Sequence, residues 1–209
     1  MVISNLDFIH EFIRGSSERT LLLLHGTGGN ERDLIPLGRA LEDTASLLSP
    51  RGKVLENGMP RFFRRLAEGV FDTEDLRRRT NELAEFVIAA AQHYKINRNR
   101  LVAVGYSNGA NIAASMLLLR PEVFSAAILF RAMVPLIPEK EPDLSSTRVR
   151  IGAGKFDPII PGSQTQQLAK LLRGAGANVV VRYFESGHEL TREDIDAARQ
   201  WLIDVEMQS

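Results

Sequence analysis

Short apolar runs alternate with longer amphipathic stretches along most of the chain. Several of the short runs, such as LLLL within TLLLL and LVAV, are continuously apolar, which is typical of strands covered on both faces. The longer stretches repeat apolar residues at the spacing of one helix face. Strands and helices that alternate in this way predict an α/β fold with a mostly parallel central sheet and helices on both faces.

The predicted strands are the apolar runs at residues 8–13, 20–24, 45–48, 101–106, 126–129, 149–153 and 178–184. The predicted helices are the amphipathic stretches at residues 31–41, 72–94, 107–119, 162–173 and 191–207. The segments between strands are too short for a separate cap domain, and 209 residues is an ordinary size for one core. We therefore predict a single domain over residues 1–209, with a pocket formed by surface loops.

One strand-to-helix junction carries a serine between two glycines, in the sequence GYSNG at residues 105–109. Such a sharp turn requires strained backbone angles, and flanking side chains would collide with neighbouring backbone. The turn would expose the Ser107 hydroxyl at the end of the sheet, beside the free N–H groups of a helix N-terminus. A nucleophile elbow is one interpretation of this pattern, and a chance G-x-S-x-G in an ordinary turn is the other.

A serine nucleophile requires a histidine base and a carboxylate that orients it, in the order Ser, Asp or Glu, His. His188 is the one histidine that follows Ser107, and it comes just after the last predicted strand. Asp157 comes just after the preceding strand, in GKFDPIIP. The carboxyl ends of parallel strands meet at one edge of a sheet, so we predict a Ser107, Asp157, His188 triad there. A turn aspartate and a hydrogen-bonded loop histidine are the alternatives.

The sequence HGTGG at residues 25–29 directly follows the strand TLLLL. A tetrahedral acyl intermediate needs two preorganised donors for its oxyanion, and we predict the backbone N–H groups of Thr27 and Asn108. A phosphate-binding loop is the rival interpretation, but no Gly-Lys-Ser/Thr ending follows. We expect His25 to be a hydrogen-bonded strand-end residue that shapes this loop.

Two loops expected at the same edge of the sheet carry apolar side chains: Met59, Phe62, Phe63, Met133, Val134 and Leu136. We predict an apolar substrate slot in which Met59, Phe62, Phe63 and Val134 contact the substrate. Core packing beneath long loops is the alternative for each of these residues. The first loop also has three arginines that pair with Glu56 or Glu68, or face a polar group of an aromatic substrate: Arg61, Arg64 and Arg65.

Acidic and basic residues balance at 26 each, so no overall field attracts nucleic acid or an anionic membrane. Cysteine is absent, which excludes disulfides, a thiolate nucleophile and a thiolate metal site. No pair of histidines has metal-ligand spacing, and we predict no metal and no cofactor. The N-terminal MVISNLDFIH lacks the regions of a secretion signal, and no apolar run would span a membrane. We expect a cytoplasmic protein whose partner is a small molecule.

Six segments together resemble the phospholipase/carboxylesterase family of small α/β-hydrolases, which is related to the acyl-protein thioesterases: LLLLHGTGGNE, SPRGKVLENGMPRFFRR, GYSNGANIA, FRAMVP, GKFDPIIP and SGHEL. The ENGMPRFFRR segment further resembles a bacterial branch with esterases linked to hydroquinone and aromatic-compound resistance. The resemblance implies an α/β-hydrolase fold, the same triad, esterase activity, no cofactor and often a homodimer. The thioesterase and lysophospholipase relatives usually carry Gln where this chain has Asn108, so their substrates are not carried over.

The sequence as a whole predicts a serine carboxylesterase that hydrolyses short-chain or aromatic carboxylic esters through an acyl-enzyme. A thioesterase or lysophospholipase using the same triad is one alternative, because a triad does not select the leaving group. A hydrolase-like protein that only binds a small molecule or a protein is the other. That second alternative predicts a broken triad or a blocked elbow.

Overall fold

The computed structural model describes residues 6–207, with the side chains of residues 6–204. The strands in this range are β1 (His10–Ile13), β2 (Thr20–Leu24), β3 (Ser46–Pro50), β4 (Val54–Glu56), β5 (Met59–Arg61), β6 (Arg65–Ala67), β7 (Val70–Phe71), β8 (Leu101–Tyr106), β9 (Ala126–Phe130), β10 (Arg148–Gly154) and β11 (Asn178–Phe184). The α-helices are α1 (Ile35–Leu41), α2 (Thr73–Tyr94), α3 (Asn108–Leu119), α4 (Gly162–Gly174) and α5 (Arg192–Met207).

Seven of these strands form the central sheet, in the order β1-β3-β2-β8-β9-β10-β11. The edge strand β1 is antiparallel to β3, and every other neighbouring pair is parallel. The six parallel strands therefore end at one edge of the sheet, which we call the carboxyl edge. Loops from several strands meet there, which is where open α/β sheets bind ligands.

Successive side chains of the central strands point to opposite faces of the sheet, and both faces are covered. In β2, Leu22 and Leu24 pack with residues of α2, α3 and α4, whereas Leu21 and Leu23 pack with residues of α1 and α5. A strand with both faces buried needs apolar residues at every position, which accounts for the uninterrupted TLLLL run. The predicted α/β-hydrolase fold, with a mostly parallel sheet and helices on both faces, is confirmed.

Two predicted elements begin at least two residues before the observed ones. The strand predicted at residues 8–13 begins at His10, because His10 pairs with Pro50, the last residue of β3. The helix predicted at residues 31–41 begins at Ile35. Pro36 occupies the first turn of α1, and proline is compatible with a helix only there, so the helix does not extend upstream.

The segment between β3 and α2, expected to be a loop, contains two short antiparallel hairpins, β4–β5 and β6–β7. Asn57 and Gly58 form the first turn with φ of 52° and 80°. An Asn-Gly pair is the preferred two-residue hairpin turn because both positions require positive φ. That dipeptide is therefore a usable signal for the first hairpin. Within residues 6–207 these two hairpins are the elements between β3 and α2.

Helix α2 presents its charged face to solvent. Its N-terminus is capped by Asp72, whose carboxylate accepts a hydrogen bond from the Asp75 N–H at 3.0 Å. Each arginine in its 77–79 run contacts a carboxylate: Arg77 with Glu139, Arg78 with Asp75, and Arg79 with Glu82. The run is thus an ion-paired helix face. No helix in the described part of the chain is both long and apolar enough to cross a membrane.

Candidate active site

Ser107 occupies a strained turn between β8 and α3, with φ 52° and ψ −113°. A side chain at Gly109 would place Cβ 1.9 Å from the Leu24 carbonyl oxygen, so only glycine fits there. The Ser107 N–H donates to the carbonyl of Phe130 at 2.9 Å, which fixes the turn against the neighbouring strand. The turn therefore holds the hydroxyl at the carboxyl edge, next to the N-terminus of α3.

The structure brings Ser107, His188 and Asp157 together in one hydrogen-bonded series. His188 Nε2 lies 3.0 Å from Ser107 Oγ, and His188 Nδ1 lies 2.8 Å from Asp157 Oδ2. The Asp157 side chain is 1% exposed, whereas that of His188 is 18% exposed. The carboxylate is therefore shielded from water while the imidazole borders the cavity.

Asp157 is fixed by its own loop as well as by His188. Its second oxygen, Oδ1, accepts hydrogen bonds from the backbone N–H groups of Ile159 at 2.8 Å and Ile160 at 3.0 Å. The two oxygens thus have separate partners, and Oδ2 is left to accept from the imidazole. A neutral His188 that donates from Nδ1 to Asp157 has Nε2 free to accept the serine proton.

Thr27 and Asn108, the predicted oxyanion donors, line the same cavity as Ser107. The Thr27 loop is held by the Gly28 N–H, which donates to the Pro60 carbonyl at 2.9 Å, and by Arg61 Nη1, which donates to Thr27 Oγ1 at 2.6 Å. Asn108 begins α3, where a backbone N–H has no acceptor within the helix. Its side-chain oxygen accepts from the Phe62 N–H at 2.8 Å. Both loops are therefore tied to the segment around β5.

His25 stabilises the start of the Thr27 loop rather than the reaction centre, as expected. Its Nδ1 hydrogen bonds to the Gly26 carbonyl at 2.7 Å, and its Nε2 accepts from the Gly52 N–H at 3.0 Å. Burial lowers the pKa of His25, and the nearby Gly26 carbonyl and Asp33 only partly oppose that shift. The imidazole is therefore neutral at pH 7, as the hydrogen bond from Gly52 requires.

A cavity of about 240 Å³ opens beside Ser107. One wall comes from the two hairpins and the other from the loops after β9 and β10. The lining residues beyond the triad and the oxyanion loops include polar ones on the hairpin side, Arg61, Arg65 and Glu68, and apolar ones opposite, Met133, Ile159 and Ile160. The hairpin wall is therefore mainly charged, with Phe71 of β7 as its aromatic member, and the opposite wall is apolar.

The structure places none of the four predicted slot residues in the lining of this cavity. Phe62 and Phe63 are 2% and 0% exposed and belong to the core beneath the hairpins. The chain turns inward after β5, where Phe63 packs edge-on against Phe71 with ring centroids 5.0 Å apart. Val134 is partly buried against the same core, and Met59 lies over Gly28. Phe62, Phe63 and Val134 therefore pack in or against the core, as the alternative interpretation predicted.

Because Phe63 packs in the core, we expect Phe63→Ala to affect stability rather than substrate specificity. Removing a fully buried phenyl ring leaves a cavity, so we expect a loss of about 3–5 kcal/mol in the free energy of unfolding. Urea unfolding measures this loss, and Leu66→Ala, at a 70% exposed hairpin position, is the control with no change. If Phe63→Ala instead has wild-type stability and a lowered kcat/KM, Phe63 contacts the substrate and the core assignment is wrong.

The three hairpin arginines are paired in the structure. Arg64 contacts Asp72 at 2.6 Å, while Arg65 and Arg61 share Glu56 at 2.7 and 3.3 Å. Burial lowers the pKa of Arg61, although its charge is partly compensated by Glu56. The predicted pairing with Glu56 is confirmed for two of the arginines. Arg61 and Arg65 also border the cavity. The sequence left open whether these arginines pair with Glu56 or face the substrate, because the register of the hairpin determines both contacts.

Tyr106, the residue before the serine, is a site residue that sequence analysis does not identify. Its hydroxyl donates to the His188 carbonyl at 3.0 Å, and its ring packs against the imidazole with centroids 5.4 Å apart. Burial raises the pKa of Tyr106, so the hydroxyl keeps the proton that it donates. In a G-x-S-x-G turn the residue before the serine is the last of the strand and so lies at the carboxyl edge. That position in the motif is the sequence signal that could have identified Tyr106.

A serine in this strained turn, hydrogen bonded to a histidine at the carboxyl edge of a mostly parallel sheet, defines an α/β-hydrolase. Residues 12–205 match the phospholipase/carboxylesterase family, and the chain belongs to that family. The enzyme is therefore a serine hydrolase. No group of three or more metal-binding side chains occurs among the side chains that the structure describes, those of residues 6–204.

Individual relatives support this assignment. The chain is 50% identical over 192 residues to MhqD of Bacillus subtilis (strain 168), whose name describes it as a hydrolase, covering 92% of this chain and 96% of MhqD. It is 49% identical to the crystal structure of a Bacillus cereus carboxylesterase, with a TM-score of 0.93 and 96% of each chain covered. A Mesorhizobium loti carboxylesterase is 34% identical, with a TM-score of 0.85 and 90% of each chain covered.

Proposed function

We propose that this hydrolase is a serine carboxylesterase that cleaves short-chain or aromatic carboxylic esters through a covalent acyl-enzyme. The observation that supports it most directly is the continuous series of hydrogen bonds from Asp157 through His188 to Ser107. Ser107 is the nucleophile, His188 the general base and acid, and Asp157 the group that orients the imidazole. The B. cereus and M. loti relatives carry a carboxylesterase name, which agrees with ester cleavage.

The first half of the reaction transfers the acyl group to the serine. As Ser107 Oγ attacks the ester carbonyl carbon, its proton passes to His188 Nε2 over the 3.0 Å separation. The backbone N–H groups of Thr27 and Asn108 stabilise the negative oxygen of the tetrahedral intermediate. His188 then gives the proton to the departing alcohol oxygen.

The second half releases the acid and restores the serine. A water molecule loses a proton to His188 Nε2 and attacks the acyl carbon, and the same oxyanion donors stabilise the second tetrahedral intermediate. Collapse of that intermediate returns the proton from His188 to Ser107 Oγ. Asp157 stays ionised throughout and stabilises the imidazolium that forms in each half.

The dimensions and the walls of the cavity favour small substrates. A volume of about 240 Å³ holds a short acyl chain or one aromatic ring, whereas much of an extended acyl chain would remain in water. The apolar contacts come from the apolar residues that line the cavity, which replace Met59, Phe62, Phe63 and Val134 in this role: Phe71, Met133, Ile159 and Ile160. Arg65 and Glu68 are available to a polar substituent of the substrate.

A series of p-nitrophenyl esters from acetate to palmitate tests the preference. We expect kcat/KM to peak at short acyl length and Met133→Ala to lower that peak several-fold, since lost apolar contacts are worth about 1–3 kcal/mol. Val134→Ala is the matched control, because its side chain packs against the core outside the cavity lining. It should retain the wild-type profile.

The outcome of the same screen separates the alternatives. A steady rise in kcat/KM toward palmitate would contradict the proposed pocket and favour a lysophospholipase-like enzyme. Greater activity on matched thioesters than on oxygen esters would favour a thioesterase. Binding of esters without any turnover would favour a non-catalytic binding protein.

Sequence-based expectations about the cellular setting belong to the same proposal. We place the enzyme in the cytoplasm, because its lack of cysteine suits a reducing compartment. We expect a homodimer on the basis of the family resemblance. Cell fractionation tests the first expectation, and light scattering of the purified protein tests the second.

A further inference from the structure

Arg131 is fully buried at the carboxyl edge, directly after β9. Its backbone has a positive φ of 55°, and its N–H donates to the Gly152 carbonyl at 2.8 Å. Its guanidinium makes a bidentate salt bridge with Asp194, through Nη1 at 2.7 Å and Nη2 at 2.8 Å. Asp194 lies in the first turn of α5. Neither side chain is exposed to solvent. A left-handed backbone at a non-glycine residue is uncommon and strained, so it persists only where the surrounding contacts hold it.

The same guanidinium holds the loop that carries His188, residues 186–189, which we call the histidine loop. Every carbonyl oxygen of this loop accepts a hydrogen bond from a neighbouring element: Ser186 from the Phe156 N–H at 3.0 Å, Gly187 from Arg131 Nε at 3.1 Å, His188 from the Tyr106 hydroxyl at 3.0 Å, and Glu189 from Arg131 Nη2 at 2.6 Å. Arg131 Nη2 also lies 3.0 Å from Ser186 Oγ, so its two N–H groups are shared among three acceptors, Ser186 Oγ, the Glu189 carbonyl and Asp194. Arg131 therefore contacts the loop on both sides of His188.

We propose that Arg131 is the positioning residue that holds His188 between Ser107 and Asp157. This inference rests on the proposed function, since it concerns the base of that reaction. His188 must satisfy two hydrogen bonds at once, so a displacement of its loop by about 1 Å disrupts both. Arg131 makes no contact with the cavity and acts only through the loop. It is a positioning residue and not a catalytic one.

Asp194 keeps the guanidinium in the orientation that this role requires. Burial would raise the Asp194 pKa, but hydrogen bonds from Arg131 and Thr191 outweigh burial and hold the pKa below its usual range. The carboxylate therefore stays ionised and takes two of the guanidinium donors. The N–H of Nε and the second N–H of Nη2 point along fixed directions at the Gly187 and Glu189 carbonyls, because the guanidinium is planar and rigid.

The variant Arg131→Lys distinguishes a purely structural ion pair with Asp194 from a positioning role for Arg131. If Arg131 only neutralises Asp194, lysine preserves the charge, and any loss of activity follows the loss of folded protein. If Arg131 positions the loop, lysine fails even in the folded enzyme, because an ammonium lacks the guanidinium fork. The two carbonyls on either side of His188 then lose their common donor.

The experiment compares Arg131→Lys with Arg19→Lys at a temperature where circular dichroism shows that both are folded. Arg19 is a matched control, since it is a buried arginine that contacts Glu42 at 2.5 Å and the Leu202 carbonyl at 3.2 Å. It precedes β2 and so lies at the opposite edge of the sheet. We expect Arg131→Lys to lower kcat about 100-fold with KM within about threefold, and Arg19→Lys to keep kcat within about twofold.

A second variant covers the case in which Arg131→Lys does not fold. The double variant Arg131→Met with Asp194→Asn removes both buried charges together, a change that proteins often tolerate. The asparagine side chain keeps an oxygen for the Thr191 N–H, from which Asp194 accepts a hydrogen bond at 3.0 Å in the wild type. We expect this protein to be folded and to have kcat at least as low as Arg131→Lys.

A spectroscopic measurement reports the position of His188 independently of turnover. The Nδ1 proton that an imidazole shares with a carboxylate gives a resolved, far-downfield proton NMR signal. We expect that signal in wild type and in Arg19→Lys, and its loss or broadening in Arg131→Lys. Wild-type kcat and an unchanged signal in either folded Arg131 variant would overturn the positioning role.

Reaction of wild type with a fluorophosphonate separates this inference from the proposed function. If wild type reacts once per chain and the Arg131 variants react about 100-fold more slowly to the same stoichiometry, both the proposed function and the positioning role are supported. If wild type reacts and the variants react equally fast, only the positioning role fails. If wild type does not react, the proposed serine mechanism itself fails.

Discussion

Ser107→Ala is expected to lower kcat for ester hydrolysis about a million-fold while leaving the fold intact. The hydroxyl is the proposed attacking group, and within the structure it is hydrogen bonded to His188. Alanine keeps the small side chain that the tight turn accommodates, and the backbone contact of residue 107 with Phe130 does not involve the hydroxyl. Initial rates with p-nitrophenyl acetate measure the loss, and thermal unfolding reports the fold.

Ser163→Ala is the control for this prediction, because Ser163 lies exposed on α4. It should retain wild-type activity. Residual turnover by Ser107→Ala above about a thousandth of the wild-type rate would show that another group attacks the ester. Such a result would contradict the proposed mechanism as a whole.

Asp157→Asn is expected to lower kcat about ten-thousand-fold, because it places His188 in the wrong tautomer. Oδ1 of Asp157 accepts from two backbone N–H groups, at Ile159 and Ile160. In the asparagine variant the amide oxygen takes that place, since an amide NH₂ cannot accept. The NH₂ group therefore faces His188 Nδ1, which must become an acceptor. Nε2 then carries the proton and cannot act as the base.

The pH dependence of kcat distinguishes this cause from a general loss of structure. A tautomer trapped by the asparagine amide gives partial recovery at high pH, where hydroxide replaces the histidine base. Asp196→Asn, at an exposed position on α5, is the control and should behave as wild type. Activity of Asp157→Asn within tenfold of wild type would show that Asp157 does not orient His188.

The sequence predicted the positions of the proposed catalytic side chains because each of them follows a strand of a parallel sheet. The carboxyl ends of parallel strands all lie at one edge of the sheet. Apolar runs in the sequence predict the strands, and the residues after each run are therefore expected to meet at that edge. Ser107, Asp157 and His188 could therefore be placed together without knowledge of any contact. Of the oxyanion candidates, Thr27 follows β2 and Asn108 is the first residue of α3. Both line the same cavity for the same reason.

The substrate slot could not be predicted in the same way, because it depends on which side of a short hairpin each residue faces. A shift of one residue in strand register reverses every side chain. Arg61 and Phe62 are neighbours in sequence, yet Arg61 borders the cavity and Phe62 packs into the core. Apolar character and the expected place of their loop at the carboxyl edge suggested substrate contact at Phe62 and Phe63, whereas their burial shows core packing.

Arg131 had no sequence signal, although its segment, FRAMVP, contributed to the family resemblance. Its partner Asp194 lies 63 residues away, and the loop that it contacts lies at least 55 residues away. Contacts between loops of different strands depend on strand order, here β9, β10 and β11 side by side. Periodicity in the sequence predicts strands and helices but not this order.

Mapping the site of fluorophosphonate modification tests the central claim, that Ser107 is the nucleophile activated by His188. The purified wild-type protein is allowed to react to completion, digested, and analysed by mass spectrometry. We predict one modification per chain, on the peptide that contains Ser107, with simultaneous and complete loss of esterase activity. Modification at Ser115 or Ser163, or full activity after Ser107 is modified, would contradict the claim.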